Sequence, residues 1–265
     1  MKKSVWRKIV LILSLVVMII LVIVVNRQHK TMLINDIKVN IDLNGTDTLI
    51  VAKEIDNLIY KSFGDLTGEI ANEINLSQIE DSIYRNPFIA KVDSYTDLRG
   101  NLHINIKQRK PKIRISDQNG NQFYIDTEGY KIPLSTKGSP NVIIANGYIK
   151  IDKKAQNPVV TVDKEYKDIL KSSTDLEKIY FLANYIESHP FLKNQIDQIY
   201  LNNKKEFELV PKIGNQIIVF GNLTRIQEKF ENLFYLYTDG FSNTGWNIYK
   251  TINLKFENQV VCTKY

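Results

Sequence analysis

Two carboxylate pairs, Glu80 with Asp81 and Asp126 with Glu128, are the residues whose type and spacing come nearest to doing chemistry, since glycoside hydrolysis needs only two acids at a suitable separation. Local pattern accounts for both. Ser77-Gln78-Ile79-Glu80 reads as a capping box, in which hydroxyl and carboxylate satisfy two orphan helix amides, and Asp126 and Glu128 belong to a hairpin turn. His29, His103 and His189 are far apart and have no metal-ligand spacing. Cys262 is the single cysteine, so it forms no intramolecular disulfide, and no partner base is indicated beside it. A Gly-x-Ser-x-Gly, a phosphate loop and a dinucleotide fingerprint are all absent from the sequence. The reading is therefore a protein that works by binding, with no catalytic residues, cofactor or metal.

Charge narrows the class of partner. The chain carries 35 basic and 29 acidic side chains, but Lys2, Lys3, Arg7, Lys8, Arg27 and Lys30 all precede the first acid, Asp36. The remainder is balanced and offers no net field to a nucleic acid. Between those basic residues, Ile9 to Val25 is a run of 17 with Ser14 as its one polar member, about 26 Å as a helix. Trp6 stands at the interfacial position, and the basic excess before the run predicts a cytoplasmic tail over 1–8, a transmembrane helix over 9–25 and all the rest outside. A cleaved signal peptide would need small residues at the end of the run, where Val24-Val25-Asn26-Arg27 stands instead.

The elements of the outer part follow from periodicity. Ile37, Val39 and Ile41 alternate as a strand; Val51, Ile55, Leu58 and Ile59 make the stripe of a helix over Leu49 to Phe63; the Ser77 box starts a second helix that Asn86-Pro87 stops. Phe88, Ala90 and Val92, then Leu102, Ile104 and Ile106, predict two antiparallel strands joined near Arg99-Gly100-Asn101. Strand, helix, helix, strand, strand makes a compact α+β unit with at least one open sheet edge.

Beyond Pro111 a meander is expected: Lys112 to Ser116, a turn at Asn119-Gly120, Gln122 to Asp126, a turn at Glu128-Gly129, then Val142 to Ala145. Residues 146–173 carry little periodicity. Thr174-Asp175-Leu176-Glu177 is a second capping box, opening a helix with Leu176, Ile179, Tyr180, Ala183 and Ile186 inward and ending before Pro190. Strands are predicted over Ile196 to Leu201, Glu206 to Val210 and Gln216 to Phe220. Asn222 is expected to cap a last helix with Leu223, Ile226, Phe230, Leu233 and Phe234 inward, followed by one extended stretch from Trp246 to Thr263.

This order, with Asn86-Pro87 and Arg109-Lys110-Pro111, resembles the POTRA domain of the FtsQ and DivIB cell-division proteins, here 31–111, although Gln108 stands where that family commonly has Glu. Asp126-Thr127-Glu128-Gly129, Ile217-Ile218-Val219-Phe220-Gly221, Lys229 with Leu233, and Ile252-Asn253-Leu254-Lys255-Phe256 resemble the family's β domain, here 112–265. Val260-Val261-Cys262-Thr263-Lys264 looks most like its Bacteroidota branch. The resemblance implies a divisome scaffold in the cytoplasmic (inner) membrane at the septum, its terminal strand accepting a strand from an FtsB-like protein paired with an FtsL-like one, among other septal proteins. Phe256, Asn258, Gln259, Leu254 and Leu233 are the partner-binding residues it implies. The alternatives are another POTRA-containing envelope assembly protein and a membrane-anchored wall hydrolase.

Overall fold

The computed structural model describes residues 6, 11–20, 32–151, 157–241, 245 and 248–265. Residues 11–20 are helical with apolar side chains exposed. The rest of the apolar run over 9–25 lies outside the described residues, and among those described no helix is long and apolar enough to cross a membrane. The chain divides into two compact units, one of residues up to Asn44 with Ile50–Gln108, the other of Gly45–Leu49 with Arg109–Tyr265.

In the first unit, strand β1 (Asp36–Asp42) is followed by helices α1 (Ala52–Phe63) and α2 (Leu76–Tyr84), then strands β2 (Ile89–Thr96) and β3 (Asn101–Gln108). The sheet order is β1-β3-β2, with β1 parallel and β2 antiparallel to the central β3. Alternation fixes the buried face, because Leu102, Ile104 and Ile106 meet Ile37, Val39 and Ile41 in register and bury against Ile55, Ile59, Ile79 and Ile83 of the helices. Each fully buried isoleucine is worth about 1.5–3 kcal/mol relative to exposure.

The start of α2 corrects the expected capping box. The N-cap is Asn75, whose side chain accepts the Gln78 amide at 3.2 Å. Glu80 is instead drawn to the sheet, where it accepts from the Ser94 amide at 2.7 Å and the Ser94 hydroxyl at 2.8 Å. A helix that begins two residues earlier carries that carboxylate past the orphan amides and over β2. Gln108, fully buried, accepts the Ile50 amide at 3.3 Å, which a neutral amide does without burying a charge.

The second unit contains β4 (Pro111–Ser116), β5 (Gln122–Asp126), β6 (Lys131–Pro133), β7 (Ile143–Gly147), helices α3 (Tyr166–Lys171), α4 (Asp175–Ser188) and α5 (Pro190–Gln195), β8 (Ile196–Leu201), β9 (Phe207–Pro211), β10 (Ile217–Gly221), α6 (Ile226–Tyr235), β11 (Tyr249–Asn253) and β12 (Val261–Lys264). One nine-stranded sheet runs β12-β11-β10-β9-β8-β7-β4-β5-β6. Its registers place Ile252, Ile218, Leu209, Ile199, Ala145, Ile115 and Phe123 in one continuous row across seven strands, every member buried. Leu182, Ala183 and Ile186 of α4 and Phe230 and Leu233 of α6 belong to the same core. The Thr174 capping box forms as read, with both reciprocal bonds present. Pro190 ends α4 and also opens α5, since a proline at the first helical position gives up an amide that has no partner there.

Arg109 is the buried charge on which the start of this sheet turns. Its Nη1 lies 2.8 Å from Asp126 and 3.1 Å from Glu128, and the guanidinium stacks over Tyr130 at 4.0 Å. Asp126 also accepts the amides of Glu128 and Tyr130 at 2.9 and 2.7 Å, so one carboxylate both closes the hairpin and neutralises the arginine. Asp126→Ala is expected to destabilise the second unit by about 3–5 kcal/mol by removing the buried partner of a buried cation and the acceptor of two turn amides, whereas Glu128→Ala, at the exposed side, costs under about 1 kcal/mol; urea denaturation of the two variants checks the order.

Candidate functional site

A sheet this long exposes backbone at its two ends, and the two ends differ. At one, β6 is three residues long and finishes on Pro133, which has no amide to offer. At the other, β12 pairs with β11 on its inner side, and no strand pairs with its outer side among the described residues. The expected single extended stretch from Trp246 to Thr263 is in fact a hairpin of β11 and β12 around a turn at Phe256–Asn258, and Trp246 lies outside the described residues. β11 is therefore sealed, parallel to β10 and antiparallel to β12, and the open ladder belongs to Val261–Lys264.

The turn entering β12 is held by the first turn of α6. Arg225 Nη2 donates to the Lys255 carbonyl at 3.0 Å, Arg225 Nη1 pairs with Glu228 at 3.0 Å, and Glu228 accepts the Asn258 amide at 3.1 Å. Lys255 Nζ reaches Glu206 on the loop before β9 at 2.8 Å. Such partly exposed ion pairs contribute little stability each, so their effect here is on the direction of the chain. Two backbones pay for that direction: Arg225 (φ 54°) and Asn258 (φ 55°) both sit in the left-handed region.

The cap of α6 differs from expectation for the same reason. Asn222 does not cap the helix; Arg225 stands at the N-cap without a side-chain cap bond, and Asn222 accepts from Thr224. Lys229, 2 % exposed, donates from Nζ to the Asn222 carbonyl at 2.7 Å and lies 4.8 Å above the Phe220 ring. Burial, and then the nearby Arg225 charge, pushes Lys229 down to about 8.

Of the residues implied by the resemblance, Phe256, Asn258 and Gln259 lie together on the terminal turn, all exposed, Phe256 by 46 %. Leu254 and Leu233 are buried in the core, where Leu254 donates its amide to the Val219 carbonyl at 2.9 Å. Phe234, expected inward on α6, is 41 % exposed. The sequence reading did not single out Val261, the exposed first residue of the open strand, or Arg225 and Glu228, the anchors of the turn. The charge pair at Arg225 and Glu228, spaced i to i+3, was the available signal.

A family model described as FtsQ/DivIB, C-terminal related, matches residues 110–263, and one described as a POTRA-like domain matches residues 33–107. The chain belongs to the FtsQ/DivIB family. No curated protein matches it. FtsQ/DivIB proteins are membrane-anchored, non-enzymatic proteins of cell division, and the role of this member is that of a cell-division scaffold. The family's strand-Gly and Lys-x-x-x-Leu patterns have a physical basis here. Gly221 takes φ 77° as β10 ends, and Lys229 secures the following turn while Leu233 fills the core beneath.

The lowered Lys229 makes a signed prediction. Its folded value lies below its unfolded one, so between about pH 8 and 10.5 the unfolded chain binds the extra proton and this residue's contribution to stability rises with pH. Comparing urea midpoints of the chain and its Lys229→Met variant across that window isolates the effect: the chain should gain on the variant, by no more than about 3 kcal/mol, as pH rises.

Proposed function

We propose that the free edge of β12 accepts an extended segment of an FtsB-like protein, itself paired with an FtsL-like protein, and so holds septal proteins together outside the cytoplasmic membrane. The mode is strand addition: backbone bonds provide affinity and alternate side chains provide selection. One observation carries this reading, the outer side of β12, unpaired among the described residues, at the end of a sheet whose opposite end is blunted by Pro133. Phe256 stands exposed at the turn beside that edge, where an aromatic side chain offers a partner apolar area with little rotamer entropy to lose. Asn258 and Gln259 provide polar contacts on the same turn. Leu233 and Leu254 support the site from within by fixing α6 and the start of the turn.

In this reading residues 9–25 anchor the chain as a single-pass type II membrane protein, residues 1–8 remain cytoplasmic, and the POTRA and β domains face the periplasm at the septum. The apolar run, its flanking basic residues and the membrane anchoring common to the family support that arrangement. The open edges β1 and β2 of the first unit favour a second reading, in which the POTRA domain itself takes a strand in envelope assembly.

Phe256→Glu tests the first reading. The side chain contacts a partner in this account and not the core, so the variant should keep the thermal midpoint within about 2 °C while its affinity for the FtsB-like partner falls at least tenfold, equivalent to about 1.4 kcal/mol. Isothermal titration with the purified partner measures this; unchanged affinity removes the terminal turn from the interface.

A further inference from the structure

Away from the terminal edge, α6 carries a second stripe. Gln227, Phe230, Glu231 and Phe234 recur at helical spacing on the flank of α6 that faces α4 and α5, and together with Tyr185, Phe191 and Tyr235 they line an open groove of about 480 Å³. Its walls are aromatic. Tyr185 stacks on Phe230 at 5.2 Å, His189 stacks on Tyr185 at 4.5 Å, and Phe191 meets Phe234 edge-on at 5.0 Å. Phe234 and Tyr235 are nevertheless 41 % and 60 % exposed. Single exposed apolar side chains are ordinary, but two adjacent aromatics on one concave surface form a patch of the kind that marks an interaction site.

The groove also has one charge. Glu231 accepts from Gln227 Nε2 at 2.8 Å and has no cationic partner among the described residues. Its neighbours in the sequence of α4 and α6 do have one: Glu177 pairs with Lys164, Glu187 with Lys112 and Glu228 with Arg225. The Tyr185 hydroxyl is pushed up by burial first and by Glu231 second, which places that carboxylate close to the aromatic wall. A lone carboxylate at the rim of aromatic faces suits a lysine or arginine, whose apolar stem packs on the rings while its head meets the acid.

We propose that this groove seats an amphipathic helix of a partner protein, with the helix's apolar stripe against Tyr185, Phe191, Phe234 and Tyr235 and one of its Lys or Arg residues on Glu231. A furrow between helices accepts a further helix by ordinary packing of side-chain ridges into grooves. An uncharged glycan would leave Glu231 without a cation. The contact is independent of strand addition, since it uses side chains of α4, α5 and α6 rather than the backbone of β12.

The test places a photo-reactive benzoylphenylalanine at position 235 of the full chain in its own cells and maps the adduct by mass spectrometry. The expected adduct is a protein segment with apolar residues at helical spacing and a Lys or Arg among them. Glu231→Arg should lower its yield at least tenfold, and reversing the partner's basic residue to Glu should restore it, with the thermal midpoint and cross-linking from position 256 unchanged. Four results overturn the proposal: no adduct above that from the same probe at Tyr84 in the first unit, an adduct with a glycan or lipid, a yield indifferent to Glu231→Arg, or a loss that charge reversal in the partner does not restore.

Discussion

Every backbone amide and carbonyl of a sheet needs a partner, and an open sheet leaves one row of them without a strand at each end. In the second unit that constraint falls on two unequal places. The β6 end is three residues long and closes on a proline, whereas the β12 end continues for four residues with amides throughout. Much of the remaining architecture can be traced to how the β12 end is supported. The buried row from Ile252 to Phe123 fixes the sheet's register over seven strands, so that a one-residue slip would turn the whole core face outward.

Support for the open strand comes from α6 and not from the strand itself. Lys229 ties the end of β10 to the helix, Arg225 and Glu228 carry the tie to Lys255 and Asn258, and the terminal turn then delivers the chain into β12. The bonds are weak singly, and two residues are held in left-handed backbone conformations to make them. Strain of that kind persists where the surrounding structure over-determines it. A rigid turn lowers the ordering cost of binding at the edge next to it.

Legibility in the sequence followed how local the cause was. Leu102, Ile104 and Ile106 alternate within one strand, and the Thr174 box closes within four residues, so both appear in the structure as read. The Ser77 box failed because Asn75, through the Gln78 amide, caps the helix two residues earlier and Glu80 found Ser94, fourteen positions away. Helix α3 lies within 146–173, the stretch that carried little periodicity, and at six residues it is too short to show a period. The terminal hairpin was hidden because neither glycine nor proline marks its turn; Asn258, a residue tolerant of positive φ, was the one local hint. Family resemblance led to the terminal region, but only the fold separates exposed Phe256 from buried Leu254, two positions earlier.

The most direct measurement of the proposed edge is amide hydrogen exchange of the full chain with and without the FtsB-like partner. Strand addition predicts that amides within Val261–Lys264 exchange at least tenfold more slowly in the complex, while those of β11, already bonded on both sides, hardly change. A bound partner that leaves Val261–Lys264 exchanging as in the free chain would contradict the account.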